Sequence, residues 1–432
     1  MRLWSSTIGA VLLQDGERAA TFEYDPAFAR SGIEVAPLQM PLAAGHRYRF
    51  GTLSHDSFYG LPGLLADALP DRYGHALIDA WLASQGRAPG SADAIERLCY
   101  VGTRGMGALE FEPASGPSAP AAHDLDIAGL VELANEVLSD RKKLVVSLAA
   151  GDREQAIRDI LSVGTSAGGA RAKALIAYNP RTQQVRSGQL PLGPDFEHWL
   201  LKFDGVSGDR SREGLGDPLG YGAIELAYAR MAATAGIEMT ECRLLEEQDR
   251  RHFMTRRFDR DEQGRKRHMQ SLAALAHLDF RQPGANAYEQ AFAVIRALGL
   301  GAATAEQQFR RMAFNVVARN QDDHVKNIAF LMDRHGEWAL APAFDVAYAY
   351  NPSGAWTARH QMSLAGKRDG FTREDFDAVG RIAGLKRGTA KRILAEVTAA
   401  VADWPRHAAD VGVDETEARR IAPTLRLDLP AR

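Results

Sequence analysis

The chain has 432 residues, 45% of them hydrophobic and 25% charged, which excludes a disordered protein and suffices for a large core; at about 100 to 200 residues per domain it accommodates two or three domains. A formal net charge of -3 and a pI near 6.5 exclude a global attraction to nucleic acid or anionic lipid and leave only local patches. Cys99 and Cys242 stand far apart in apolar surroundings and read as buried thiols, and without a signal-peptide apolar region or a membrane-length apolar run the expected compartment is the cytoplasm.

The chain opens in β structure. Ile8 to Leu13 and Ala20 to Tyr24 alternate apolar and polar positions around a turn at Asp15, Gly16 and Glu17, the pattern of a hairpin. From Gly60 the residues Leu64, Leu65, Leu69, Ala76, Leu77, Ala80 and Trp81 recur at helical spacing, broken by Pro70, so helices follow the sheet. Another helix over 94–100 leads to a returning strand between Gly105 and Phe111, closing a small α+β unit over residues 1–112. Pro113, Pro117 and Pro120 among small residues cannot build a packed element and mark 113–124 as a linker.

Residues 125–432 read as a second, larger unit. Helical stretches near 125–138 and 153–160 precede a glycine-rich turn, Gly164 to Gly169, and a strand from Lys173 to Tyr178. A strand over His198 to Phe203 follows, then an amphipathic helix over 221–235 ended by Gly236. Strands over 251–258 and 266–269 flank Asp261 to Gly264 as a second hairpin. The chain then turns helical up to Val317 and again beyond 372, where Thr372 to Asp375 spells a capping box and Asp414 an N-cap. Nucleotide-facing strands over about 160–270 and a helical half over about 271–432 predict a two-lobed α+β enzyme.

Chemistry concentrates in Asn320 to Asn327, where Asp322, Asp323, His324, Lys326 and Asn327 crowd one loop. Phosphoryl transfer needs such a loop, because a carboxylate must accept the attacking hydroxyl's proton while a carboxamide oxygen holds Mg²⁺ on the nucleotide phosphates. Asp322 and Asn327 have the spacing of Asp and Asn in the protein-kinase catalytic loop. Gly336 lets the chain reverse, so that Trp338 to Asp345 returns antiparallel and carries Asp345, an oxygen ligand suited to Mg²⁺, toward Asn327. The alternative is an Asx-rich turn whose side chains only bond their own backbone; His324 fits a phosphate contact or loop scaffolding.

Upstream, glycine backbone N–H groups in Gly164 to Lys173 can wrap a triphosphate, although an ordinary turn uses the same residues. Lys202 lies on an apolar strand, placed to reach α- and β-phosphates or to snorkel to solvent. Glu225 on the next helix either orients Lys202 or is solvated. Arg256 to Arg260, near Arg250, Arg251, Arg265, Lys266 and Arg267, could border a nucleotide or grip a polyanion, unless Asp259, Asp261 and Glu262 balance it on an exposed hairpin.

Taken in order, these residues resemble the HipA family, the kinase toxins of bacterial toxin–antitoxin pairs, over nearly the whole chain. The N-terminal likeness lies in the early hairpin, Phe58 to Leu61, Ala68 to Asp71 and Val101 to Ala108; the kinase-core likeness lies in Ser166 to Lys173, Leu201 to Phe203, Arg257 to Arg260, Asn320 to Asn327 and Phe344-Asp345. The resemblance implies a protein-kinase-like fold, ATP and Mg²⁺ as cofactors, Asp322 as catalytic base, Asn327 and Asp345 as Mg²⁺ ligands and Lys202 as the phosphate-binding lysine. Gly168, Gly169, Ala170, Arg171 and Lys173 would hold phosphates, with Arg256, Phe258, His324 and Lys326 completing the nucleotide site. Ser166 matches a serine that family members autophosphorylate, and about -1.5 to -2 added charges beside the triphosphate would silence the enzyme. At Arg256 the better-known pattern has Glu before Arg-Phe-Asp-Arg, which leaves the adenine-edge contacts open. The implied substrate is an aminoacyl-tRNA synthetase and the implied partner a HipB-like helix-turn-helix antitoxin, with DNA bound only through that antitoxin and no membrane involved.

Two other readings compete. Gly164 to Gly168 also spells the G-x-S-x-G elbow of serine hydrolases, with Ser166 as nucleophile and Asp322 and His360 in the required order, but an elbow opens a helix and Ala170 to Tyr178 reads as a strand. A non-catalytic scaffold of an antitoxin–DNA complex is the other, against which the intact Asp322, Asn327 and Asp345 stand.

Overall fold

The computed structural model describes residues 1–88, 90–116, 124–139, 159–160, 163, 171–189, 193–206 and 219–432. The glycine-rich stretch with Ser166, Gly168, Gly169 and Ala170, most of the linker and most of the helix expected over 153–160 lie outside the described residues.

Two small sheets start the chain. β1 (Arg2–Leu3) pairs antiparallel with β2 (Ser6–Thr7), and β3 (Gly9–Leu12) pairs with β4 (Thr21–Tyr24) as the alternating pattern predicts, with β5 (Arg47–Arg49) added beyond β4. Helices Gly63–Ala66, Arg72–Ser84 and Ala94–Val101 follow, and β6 (Leu109–Glu110) returns to β1. Pro70 separates the first two helices because it cannot continue a helical hydrogen-bond ladder. Asp71 then opens the second as its N-cap, accepting from the Gly74 N–H at 2.7 Å.

After the helix Ile127–Ser139, the strands β7 (Lys173–Tyr178), β8 (Val185–Ser187), β9 (Glu197–Lys202), β10 (Cys242–Glu247) and β11 (Arg250–Arg256) form one sheet in the order β10-β11-β9-β7-β8, with every pairing antiparallel. Both faces are covered. Phe253 of β11 joins the core with the helix Tyr221–Thr234, while its neighbour Met254 joins the core with Trp199, Leu201 and the helix Arg72–Ser84, following the two-residue period of a strand. Gly222 allows the closest approach of helix to sheet, since a Cβ there would lie 2.1 Å from the Arg251 carbonyl oxygen.

β8 and β10 are strands where none was expected from the sequence, and the expected second hairpin does not form. β12 (His268–Ser271) leaves β11 for a different sheet, and only an isolated bridge between Arg260 and Lys266 closes the turn. Past β13 (Asn286–Ala287), β12 pairs with β14 (Ala329–Met332), which pairs with β15 (Trp338–Leu340) across the reversal at Gly336, φ 86°. β13 runs parallel to β16 (Met362–Ser363). Helices Tyr288–Ala297, Ala302–Val317, Arg373–Ile382, Thr389–Ala402 and Trp404–Asp410 build the second lobe around Phe292, Phe309, Phe314, Phe376 and Trp404, none more than 2% exposed. At the expected capping box the return half forms, Asp375 Oδ2 accepting from the Thr372 N–H at 2.7 Å and from its hydroxyl at 3.0 Å, and the N-cap at Asp414 forms. Among the described residues no helix is long and apolar enough to cross a membrane.

Candidate active site

The loop after the helix Ala302–Val317 separates two adjacent aspartates by environment. Asp323 is 3% exposed and fully engaged: it accepts from the Tyr288 hydroxyl at 2.6 Å and from the Gln361 N–H at 2.7 Å, and pairs with His360 Nδ1 at 2.7 Å. It anchors the loop. Asp322 next to it keeps 46% of its side chain exposed and among the described residues its carboxylate accepts from Trp356 Nε1 at 2.6 Å. Burial of its surroundings pushes its carboxyl up, with Asp345 and Asp323 adding to the rise against His324 and the Trp356 bond. A carboxylate with an open face and raised basicity suits proton acceptance. The Asn327 amide nitrogen donates to the Asp322 carbonyl at 2.8 Å, which leaves its amide oxygen as the end able to bind a cation.

The β14–β15 hairpin delivers Asp345 to the opposite side. Its backbone is left-handed, φ 52°, a strained conformation of the kind that concentrates at functional sites, and Asn320 Nδ2 holds its carbonyl at 3.4 Å. Lys202 on β9 donates to both Asp345 and Glu225, the latter at 2.5 Å. Glu225 is 2% exposed in the helix Tyr221–Thr234, so it orients Lys202 and is not a solvated surface group. Burial alone would lift the Asp345 carboxyl, but Lys202 and Lys173 hold it down at about 2; burial would likewise pull the Lys202 ammonium down, but Asp345 and Glu225 carry it above its ordinary value. Arg171 reaches Glu225 at 3.6 Å and stacks 3.5 Å over the Tyr221 ring, and with Lys202, Gly222 and Phe253 these residues line one cavity.

The remaining expected residues are spread more widely. Lys173 is 3% exposed with its ammonium 3.4 Å from Asp71, and Lys326 lies 3.6 Å from Asp67 and over the Phe280 ring. His324 Nε2 is 4.0 Å from Asp322, and its buried Nδ1 has no hydrogen-bond partner among the described residues. Phe258 packs on Phe344 at 5.6 Å between ring centres, beside Asp345. Arg256 faces Glu197 at 3.7 Å and Glu241 at 3.8 Å, while Arg257 and Arg260 bind Asp259, so the basic stretch is balanced by carboxylates. Cys99 and Cys242 are free thiols, half-buried where full burial was expected. His360 has both nitrogens engaged, by Asp323 and by Arg426 Nη1 at 2.8 Å, so it forms no triad with Asp322. Trp356, Asp323, Asp67 and Asp71 have no assigned role in the sequence reading, since their partners are distant in the chain.

The donor set fits Mg²⁺. Asp345 stays ionised, Asn327 offers an amide oxygen, and among the described residues no three His, Cys, Asp or Glu side chains gather into a self-sufficient metal site. Mg²⁺ typically takes one or two carboxylates and completes its shell with phosphate and water oxygens.

Comparison with known families matches a HipA N-terminal domain over residues 1–112 and a HipA-like C-terminal domain over residues 165–404. The chain belongs to the HipA family. A chain of the Shewanella oneidensis MR-1 HipA, HipB and operator DNA complex superposes with a TM-score of 0.68 at 15% identity, covering 98% of this chain and 93% of that one. The chain therefore has the α+β HipA fold, in two lobes. The Helicobacter pylori proinflammatory kinase CtkA is a distant likeness, with TM-score 0.31 and 12% identity over 52% of this chain and 84% of that one. No curated protein sequence matches.

Proposed function

We propose that this HipA-family chain is an ATP- and Mg²⁺-dependent serine/threonine protein kinase and the toxin of a toxin–antitoxin pair. The observation that carries the reading is Lys202 held between the buried Glu225 and Asp345, opposite an Asp322 whose carboxylate has an open face. This is the division of labour that phosphoryl transfer requires. Asp322 accepts the proton of the attacking hydroxyl as its oxygen bonds to the γ-phosphorus and the bond from that phosphorus to the β,γ-bridging oxygen breaks. Lys202 neutralises phosphate charge, with Arg171 facing the same Glu225 and Lys173 opposite Lys202 across β7 and β9. Asp345 and Asn327 would hold Mg²⁺, which supplies charge neutralisation on the phosphate oxygens.

Family membership supports a HipB-like antitoxin as partner, the Shewanella chain being one component of a complex with HipB and operator DNA, and DNA contact is proposed to run through that antitoxin. An aminoacyl-tRNA synthetase is the proposed substrate and Ser166 the proposed autophosphorylation site, both by family resemblance. The test is incubation with Mg²⁺ and γ-labelled ATP followed by mass-spectrometric mapping. Label on Ser166 that is lost in Asp322→Gln and in Ser166→Ala is expected. ATP binding without transfer to the chain or to an offered synthetase would favour a scaffold.

A further inference from the structure

The N-terminal unit reaches both lobes through one corner of its chain. The helix Gly63–Ala66 packs on the second-lobe helix Leu272–Ala276, where Gly63 N–H donates to His277 Nε2 at 3.0 Å and a Cβ on Gly63 would lie 2.3 Å from the Ala274 carbonyl oxygen. The helix Arg72–Ser84 instead joins the first-lobe core, with Tyr73, Ala76, Leu77 and Ile78 packed among Ala174, Ile176, Trp199 and Leu201. Between these helices, four residues apart, stand Asp67 and Asp71. Asp67 accepts from Ser271 N–H at 2.6 Å and Ser271 Oγ at 2.8 Å and lies 3.6 Å from Lys326 in the candidate catalytic loop. Asp71 lies 3.4 Å from Lys173 at the start of β7, with both side chains 4% exposed.

We infer that Asp67 and Asp71 are positioning residues that clamp the two lobes of the kinase at a fixed separation, each holding a lysine of a different lobe. The inference rests on the kinase reading of the Asp322 site. An ion pair buried as deeply as Asp71–Lys173 holds its geometry far better than a surface pair, because neither partner has water as an alternative. Lys173 is paired with Lys202 across β7 and β9, and Lys326 precedes Asn327, so each end of the clamp sits one step from a residue of the transfer site. Phosphoryl transfer depends on holding donor and acceptor groups in register, and a loss of about 1 Å in that register costs on the order of 10²-fold. Neither aspartate touches the reacting groups in this geometry; both act through the lysines.

The experiment uses full-length wild type, Asp67→Asn, Asp71→Asn and the double variant. Asparagine at 71 keeps the oxygen that accepts from the Gly74 N–H, whereas at 67 its single amide oxygen keeps one of the two Ser271 contacts, so Asp67→Asn deletes the charge and one hydrogen bond to the second lobe. Single-turnover transfer from γ-labelled ATP is measured beside Asp322→Gln, together with amide exchange across Lys173–Tyr178 and Val325–Asn327. A clamp released at one end is released altogether, so each single variant should slow transfer at least tenfold and the double variant no more than about twofold further, a non-additivity that independent packing losses do not produce. Exchange should rise in both segments, including the one whose own aspartate is intact. Single variants within twofold of wild type in rate and exchange, or a double variant equal to the product of the singles, would overturn the clamp. If one variant fails to fold, Lys326→Gln or Lys173→Gln deletes the same pair from the other side and is read by amide exchange in the segment of the other lobe alone, because both lysines belong to the proposed nucleotide site. Should wild type transfer no more phosphate than Asp322→Gln, the kinase reading fails, and the exchange data still decide the clamp.

Discussion

Lys202 carries two separable loads, and each has its own signature. It neutralises Glu225, 2% exposed, and Asp345, 27% exposed, and in the proposed reaction it also binds phosphate. Removing one member of a buried charge group strands the others, so Lys202→Met should cost about 3 kcal/mol in urea unfolding, at the lower end for broken buried pairs because Arg171 still faces Glu225. Replacing Lys202 and Glu225 together with apolar groups removes the more deeply buried of the two stranded carboxylates and leaves Asp345, 27% exposed, without its lysine. Lys202→Met/Glu225→Leu should therefore recover part of that stability and still transfer no phosphate from labelled ATP. Transfer at wild-type rate by the double variant would assign Lys202 a structural role alone.

Asp259 shows how an element between two sheets is held. The segment joining β11 to β12 lies against the 105–108 turn of the N-terminal unit, where Asp259 accepts from Gly107 N–H at 2.7 Å, Arg257 Nη2 at 2.8 Å and Arg260 Nη1 at 2.9 Å. Burial alone would push its carboxyl up, yet Arg257, Arg260 and the Gly107 N–H hold it far below the ordinary carboxylate range. Because the folded value is depressed, the stability it contributes is complete above the unfolded value of about 3.9 and is lost as pH falls below it. Asp259→Asn should cost about 3 to 5 kcal/mol at pH 7. The gap between variant and wild-type melts should stay level from pH 7 to pH 5 and close below about pH 4; a gap that widens in acid would remove the arginines as its cause.

The same segment marks the limit of what sequence shows at the scale of elements. β7 and β14 are legible because all their residues are buried and their apolar runs are unbroken. β10 is a half-exposed edge strand in which Arg243, Glu246 and Glu247 dilute the apolar alternation, and it escapes a reading based on that alternation. The turn at Asp261 to Gly264 looks like a hairpin because its local chemistry is that of a turn; the choice of β14 as partner for β12 is made by the core, outside any local window. At the site, Asp322, Asn327, Asp345 and Lys202 stand out because polar groups on or beside apolar strands have no packing reason to be there. Trp356 and Asp323 do not, because a bond between residues 34 apart, such as Trp356 to Asp322, leaves no local spacing to detect.

For the whole molecule, the two family domains do not correspond to two independent cores. Tyr73, Leu77 and Ile78, each at most 1% exposed, come from the N-terminal unit but pack in the same cluster as Ala174, Ile176, Trp199 and Leu201 of the large sheet. In the other direction, Met332 of β14, fully buried, packs in the N-terminal cluster with Phe22, Leu64 and Leu109. Cutting the chain after residue 112 therefore opens both clusters and strands Lys173 without Asp71. A fragment beginning at residue 113 should bind a hydrophobic dye, show raised amide exchange through β7 and β9, and lose the cooperative melt of the full chain. A cooperative melt at the full-chain temperature would mean that each cluster closes on its own side. With both clusters crossing the cut, the expected loss of cooperativity follows from packing between the same segments that carry Asp67 and Asp71 to Lys326 and Lys173, so the family's N-terminal domain forms part of the wall of the candidate site.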